Sequence, residues 1–215
     1  MANQESNPSS ENGDSDVPPV PVSEKSWSPE CAKATFDLAT ALVFNNIDQL
    51  RGLALYRQLA TAPVDTTVGA AESTDLSTDG MVATGVCLVD GLSVFDSVDV
   101  NAPTAANRAR EDEGVQWLCR AVERGSPQGN YELGSVVYRG LGGVVDEDEE
   151  ASFRLFERAA VSGHVAGTFM VADCLLDGVG CEVDVVRAIP LLYFSAERGH
   201  RYARQRMQQL LDNTK

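Results

Sequence analysis

Few side chains in this sequence could do chemistry, and their spacing limits what they can do. His164 and His200 each follow a glycine, Gly163 or Gly199, and stand 36 residues apart. A general base or a metal ligand needs a carboxylate or thiolate partner, and none can be placed beside either histidine. They read as equivalent polar turn residues, suited to a helix C-terminus. The run Asp146–Glu150 has the charge of a calcium loop. It lacks the glycine at the sixth position and the distal glutamate of an EF-hand, and reads as a solvated helix start. Gly140-Leu141-Gly142-Gly143 has the glycines of a phosphate cradle, but acidic neighbours would repel an anion. No nucleophile elbow, Gly-Lys-Ser/Thr loop or H-E-x-x-H motif occurs. The residues thus imply no catalytic set, no cofactor and no metal. Trp27 and Trp117 read as core or helix-junction residues.

Composition narrows the partners. The net charge is −15 and the pI about 4.4, so nothing replaces the counterions condensed on DNA or RNA. No basic patch addresses anionic lipid. A protein or peptide partner, basic or apolar, is the class left open, and the chain is expected to be a monomer. No apolar run approaches the roughly 18 residues of a membrane span, so membrane insertion is not expected. The first basic residue is Lys25, which leaves the N-terminus without the charged region of a signal peptide. Five irregularly spaced cysteines do not form a disulfide framework and read as small buried residues. The expectation is a cytoplasmic, reducing setting, with an organelle still open.

Elements follow from pattern. Residues 1–26 are polar, acidic and Pro-containing, a composition that predicts disorder. Ser28, Pro29 and Glu30 have the order of an N-cap, first position and first turn. A helix to Phe44 and another over 48–62 would form a degenerate first hairpin, 28–62. Residues 63–77 read as a loop. Helix is expected near 78–90, an insertion over 92–107 interrupts, and helices follow one another from Arg108.

The strongest pattern is a repeat. Gly125, Gly163 and Gly199 close the runs "GVQWLCRAVERG", "SFRLFERAAVSG" and "AIPLLYFSAERG", 38 and 36 residues apart. A period of that size marks stacked helical hairpins. The second helix of each unit carries small, large, large, small at i, i+3, i+4 and i+7. Ser152, Leu155, Phe156 and Ala159 recur as Ala188, Leu191, Leu192 and Ser195. That is one apolar stripe. The first helices place small residues five apart, as in Gly129 and Gly134, expected to let each helix nestle against its hairpin mate. Gly140 and Gly178 would end those first helices. Pro190, inside a second helix, predicts a late start or a kink.

The stretch "YELGSVVYRGLGGVV(DE)DEEASFRLFERAAVSGHVAG" resembles the Sel-1-like repeat, a helix-loop-helix unit related to the tetratricopeptide repeat. The match is close over 126–203, carries an insertion over 78–125, and covers only the second helix in 31–62. The resemblance implies an all-α, right-handed α/α solenoid over 78–214, with units at about 78–125, 126–163 and 164–199 and a capping helix over 200–214. It also implies a non-catalytic scaffold or adaptor that binds protein on a concave face lined by the first helices. Tyr131, Ser135, Phe169, Met170 and Asp173 are the exposed candidates there. Some secreted relatives have been assigned β-lactamase activity, which would require oxidised, repeat-paired cysteines and an identifiable serine or metal. Cys174 and Cys181 could pair in an oxidising compartment, but no such pair recurs in each unit. A purely structural segment of a larger assembly is the remaining alternative.

Overall fold

The computed structural model describes residues 29–62, 76–91 and 105–213. The expected tail over 1–26, Trp27, most of the loop over 63–77 and most of the insertion over 92–107 lie outside those residues. Nine helices stand among the described residues: α1 (Pro29–Phe44), α2 (Gln49–Thr61), α3 (Leu76–Val89), α4 (Ala105–Glu123), α5 (Pro127–Arg139), α6 (Glu149–Val161), α7 (Val165–Asp177), α8 (Val185–Glu197) and α9 (Arg201–Asn213). Each packs mainly on the helix before it and the helix after it. The fold is an all-α solenoid of helical hairpins.

The helix ends show why this chain breaks where it does. Asp48, Asp148 and Asp184 cap the second helices α2, α6 and α8, each carboxylate accepting an N–H three residues on, at 3.0, 2.8 and 3.0 Å. A carboxylate there satisfies an orphan donor and suits the helix dipole. The acidic run before α6 is therefore a helix start. Gly125, Gly163 and Gly199 have φ of 79°, 81° and 91°, the left-handed conformation that lets one helix stop and the next begin at once.

The stripe on the second helices becomes the core. Tyr56, Leu118, Phe156 and Leu192, its equivalent large residues, are 2% exposed or less, and Ala121, Ala159 and Ser195 are fully buried. Burying one such large side chain contributes roughly 1.5–3 kcal/mol. The buried hydroxyls are satisfied: Ser152 donates to the Glu149 carbonyl at 2.8 Å and Ser195 to the Val165 carbonyl at 3.1 Å.

The paired small residues act differently from the expectation. A Cβ on Gly80 would meet Leu59 and the backbone of α2, whereas one on Gly85 would meet Leu118 and the Gly114 carbonyl of α4. The same split holds for Gly129, against Ala121 of α4, and Gly134, against the Phe156 ring of α6. Five residues turn a helix by about 140° past a full turn, so the two positions cannot serve one neighbour. One receives the preceding unit and the other receives the hairpin mate.

Three boundaries also shift. α3 begins at Leu76, inside the stretch read as loop, where Ser77 is buried and donates to the Ala60 carbonyl at 3.4 Å. α4 begins at Ala105, inside the stretch read as insertion, because Ala105 and Ala106 are strong helix formers. α8 runs through Pro190 with its start in place, capped by Asp184. The carbonyl that proline leaves unbonded belongs to Val186, an exposed residue open to solvent.

Candidate functional site

The five candidates sit on α5 and α7. Tyr131 and Phe169 occupy equivalent positions one unit apart, as do Ser135 and Asp173. They are half-buried rather than exposed; Tyr131, Phe169 and Asp173 are covered by groups reaching over from the next unit. The Tyr131 ring lies 4.9 Å from His164 and 6.1 Å from Phe156. The Phe169 ring lies 4.5 Å from His200 and 6.5 Å from Tyr202. Ser135 donates to the Tyr131 carbonyl within α5. Met170 packs on the α6–α8 core. Asp173 is 2.9 Å from Arg206 Nε, and Arg206 also bonds Asp177. Two units earlier, Arg139 of α5 bonds Asp90, which follows α3, at 2.5 Å. These ties run from one first helix to the next and make a single face of them. Its carboxylates, Asp90, Glu132, Asp173 and Asp177, outnumber its arginines, Arg139, Arg206 and Arg201, the last lying over the Tyr202 ring. Burial raises the Glu132 and Asp173 carboxyls above their ordinary values.

The histidines belong to this face, in a role the sequence did not suggest. His164 Nδ1 accepts the Gly167 N–H at 3.0 Å, and its Nε2 lies 2.6 Å from Gln128 Oε1 of the preceding unit. His200 Nδ1 accepts the Ala203 N–H at 3.3 Å. They are N-caps of α7 and α9, not partners of the helix ends before them. Ser126 does the same for α5, accepting the Gly129 N–H at 2.9 Å. The residue after a left-handed glycine is extended (His164 has φ −70° and ψ 114°), which is N-cap geometry. Capping needs a lone pair on Nδ1, hence a neutral ring carrying its proton on Nε2. Burial lowers both histidine pKa values, and for His164 the neighbouring His200 adds to the effect.

A second concavity lies elsewhere. α7 holds α6 and α8 apart, and an open groove of about 1020 Å³ runs over the gap. Val171, Leu191 and Phe194 supply apolar lining, and Arg154, Arg158 and Arg187 line it as well. Thr168 and Asn130, equivalent positions one unit apart, are its buried polar groups, 2% and 5% exposed. Thr168 Oγ1 donates to the His164 carbonyl at 3.0 Å. Asn130 Nδ2 donates to the Ser126 carbonyl at 2.8 Å, but Asn130 Oδ1 has no partner among the described residues. Arg154 pairs with Glu150 and Arg187 with Glu157, while Arg158 forms no ion pair among the described residues. Sequence reading passed over this groove, though one signal for it exists. Residues 151–215 hold eight Lys/Arg against seven Asp/Glu, whereas residues 1–150 hold nine against 25. The overall charge conceals that division.

The five cysteines are free. Burial, above all, pushes the Cys87 thiol up to about 11 and the Cys174 thiol up to about 12, so both are protonated at neutral pH and poor nucleophiles. Trp117 is buried, donates from Nε1 to Glu113 at 3.2 Å and has Arg120 over its ring, a helix-junction role.

Comparison with known proteins agrees with this geometry. The model of the Sel1 repeat family matches residues 111–126, 127–164 and 165–200. The chain carries Sel1 repeats. The matched segments end at Ser126, His164 and His200, the cap residues just described. α1 to α3 precede the matched segments, yet stack in the same way. The chain is similar to the chitin synthase regulator SKT5 of Saccharomyces cerevisiae, 28% identical over 88 residues, which is 41% of this chain and 12% of that protein. The fold is that of the crystal structure of a Sel1 repeat protein from Oxalobacter formigenes, with a TM-score of 0.59 at 22% identity, covering 80% of this chain and 59% of that one. Sel1 repeat proteins are generally protein-interaction scaffolds. No described helix is long and apolar enough to cross a membrane.

Proposed function

We propose that this protein is a non-catalytic adaptor, monomeric on its own, that holds a protein or peptide on the face of its first helices. The observation that carries this reading is the cross-unit row on α5, α7 and α9. There Tyr131 and Phe169 are held against His164 and His200, amid more carboxylates than arginines. Rings fixed in place lose little entropy on binding, and the surrounding carboxylates favour a basic or apolar segment and disfavour nucleic acid. Met170 and Ser135 extend that surface. The protonated thiols of Cys87 and Cys174 support the non-catalytic part of the reading.

Affinity purification of the full chain from its own cells, followed by mass spectrometry, tests the proposal. A partner is expected to co-purify with wild type and to be lost with Phe169→Ala and Asp173→Asn, each assayed well below its own melting temperature because Phe169 packs on the core and Asp173 pairs with Arg206. A partner retained by both variants would remove the first-helix face from the reading.

A further inference from the structure

We infer that the groove between α6 and α8 is a second docking site, and that its occupant is an extended, acidic and apolar segment of a partner protein. The inference rests on the reading of this chain as a binding module, but not on its first-helix face.

Three features define the occupant. The first is Asn130, 95% buried by its 5% exposure, with Oδ1 unpartnered on the wall of the groove. A buried acceptor without a donor is costly to leave unmade. Oδ1 is an acceptor beside an Nδ2 already bonded to the Ser126 carbonyl, so the ligand group that meets it must bring a free donor such as a backbone N–H. An extended peptide offers backbone N–H groups, whereas a helix has spent nearly all of its own. The second feature is the apolar lining. Leu191, Val171 and Phe194 face the space, and Arg198 stacks 3.7 Å over the Phe194 ring. That surface takes aliphatic or aromatic side chains and does not suit a purely polar one.

The third feature is charge. Arg154, Arg158 and Arg187 line the groove against Glu157 alone, in a chain whose net charge is −15. Arg158 is exposed and unpaired among the described residues, so a carboxylate meets it without breaking an existing bond. Arginine's planar fork favours carboxylates in two-point contact. The groove therefore selects the charge opposite to the one the chain as a whole attracts.

Panning the full chain with a random linear-peptide phage library, then measuring the enriched peptides by fluorescence anisotropy, tests this. Enriched peptides should combine Asp or Glu with large apolar residues. Their affinity should fall about five- to tenfold with Arg158→Glu and weaken with added salt, as expected for solvated charge pairs. Asn130→Ala should weaken them too. Its backbone N–H keeps its bond to the Ser126 carbonyl, so the thermal melts of both variants should stay near wild type. Net-basic peptides, peptides indifferent to both variants, or no enrichment overturn the inference.

Two other occupants are excluded by outcome. Self-association in sedimentation that Arg158→Glu abolishes would make the occupant a second copy. Peptide binding that tightens when Glu5, Glu11, Asp14, Asp16 and Glu24 are changed to glutamine or asparagine would make it the chain's own first residues. Phe169→Ala keeps the two proposed sites apart. Peptides lost with Phe169→Ala and kept with Arg158→Glu overturn the groove and leave the first-helix face standing. The reverse result supports the groove.

Discussion

The first-helix face and the α6–α8 groove are made by the same three helical hairpins, yet they spend their polar groups in opposite ways. On the first-helix face, polar groups are tied across units: His164 to Gln128, Asp173 and Asp177 to Arg206, and Asp90 to Arg139. In the groove, Asn130 Oδ1 and Arg158 are left without partners among the described residues. A solenoid helix packs on its two chain neighbours, so first helices meet through their flanking side chains. Second helices stand farther apart and leave a gap that the Arg187–Glu157 pair crosses without filling. One surface is pre-organised and the other is unsatisfied. The difference is one of neighbours, since the two regions are alternate faces of one repeat.

The two regions share a foundation, and the largest effect comes from removing it. Phe156 is fully buried, against Gly134 and near the Tyr131 ring. Phe156→Ala should cost about 3–5 kcal/mol, read as a drop in the urea midpoint, and should abolish binding at both regions together. Binding retained at one of them would mean that they do not depend on a common core.

Histidine capping separates them. His164→Ala should cost about 1 kcal/mol through the lost cap, while His164→Asn, which can still cap, should recover most of it. The same contact makes the first-helix face the pH-sensitive one. Both histidines have folded pKa values below the ordinary 6.5, so the unfolded chain binds protons more readily. Their contribution is whole above 6.5 and declines as the pH falls through that value towards the folded pKa. Glu132 and Asp173, raised by burial, act in the opposite sense nearer the carboxylate range. The histidine share is therefore the difference in urea midpoint between wild type and a His164→Asn, His200→Asn double variant, followed from roughly pH 8 to pH 5. A constant difference over that range would contradict neutral-ring capping.

The smallest effect should come from the exposed ion pairs. Arg139→Gln on the first-helix face and Arg187→Gln at the groove each break a pair whose members are about a third to a half exposed. Each should cost under about 1 kcal/mol and less in high salt. A loss at Arg139 well above that at Arg187 would show that charge, rather than the ring contacts, holds the first-helix face together.

Much of the architecture was legible because its causes are local. Gly125, Gly163 and Gly199 mark points where the backbone turns left-handed, Asp148 and Asp184 mark helix starts, and the small-large-large-small stripe marks the buried side. Each needs only a few residues in sequence to be recognised. The paired glycines were readable as close contacts but not as contacts with two different helices, because spacing alone does not name the neighbour. Tyr131, Phe169 and Asp173 were readable as residues of the first helices. Their cover by His164, His200 and Arg206 depends on how far one unit is rotated against the next.

The sequence by itself determined the period, the phase of each helix and the identity of the repeat, since these rest on propensity, capping and the freedom of glycine. Only the tertiary structure decided which surfaces are saturated and which are open. It turned the histidines from helix ends to helix starts by fixing the ring nitrogens against N–H groups and Gln128. It also joined Asn130 to arginines on α6 and α8, up to 57 positions away. The physical reason is that a groove exists only between helices. Its charge and its unmet hydrogen bond are properties of residues brought together by stacking, and no single helix carries them.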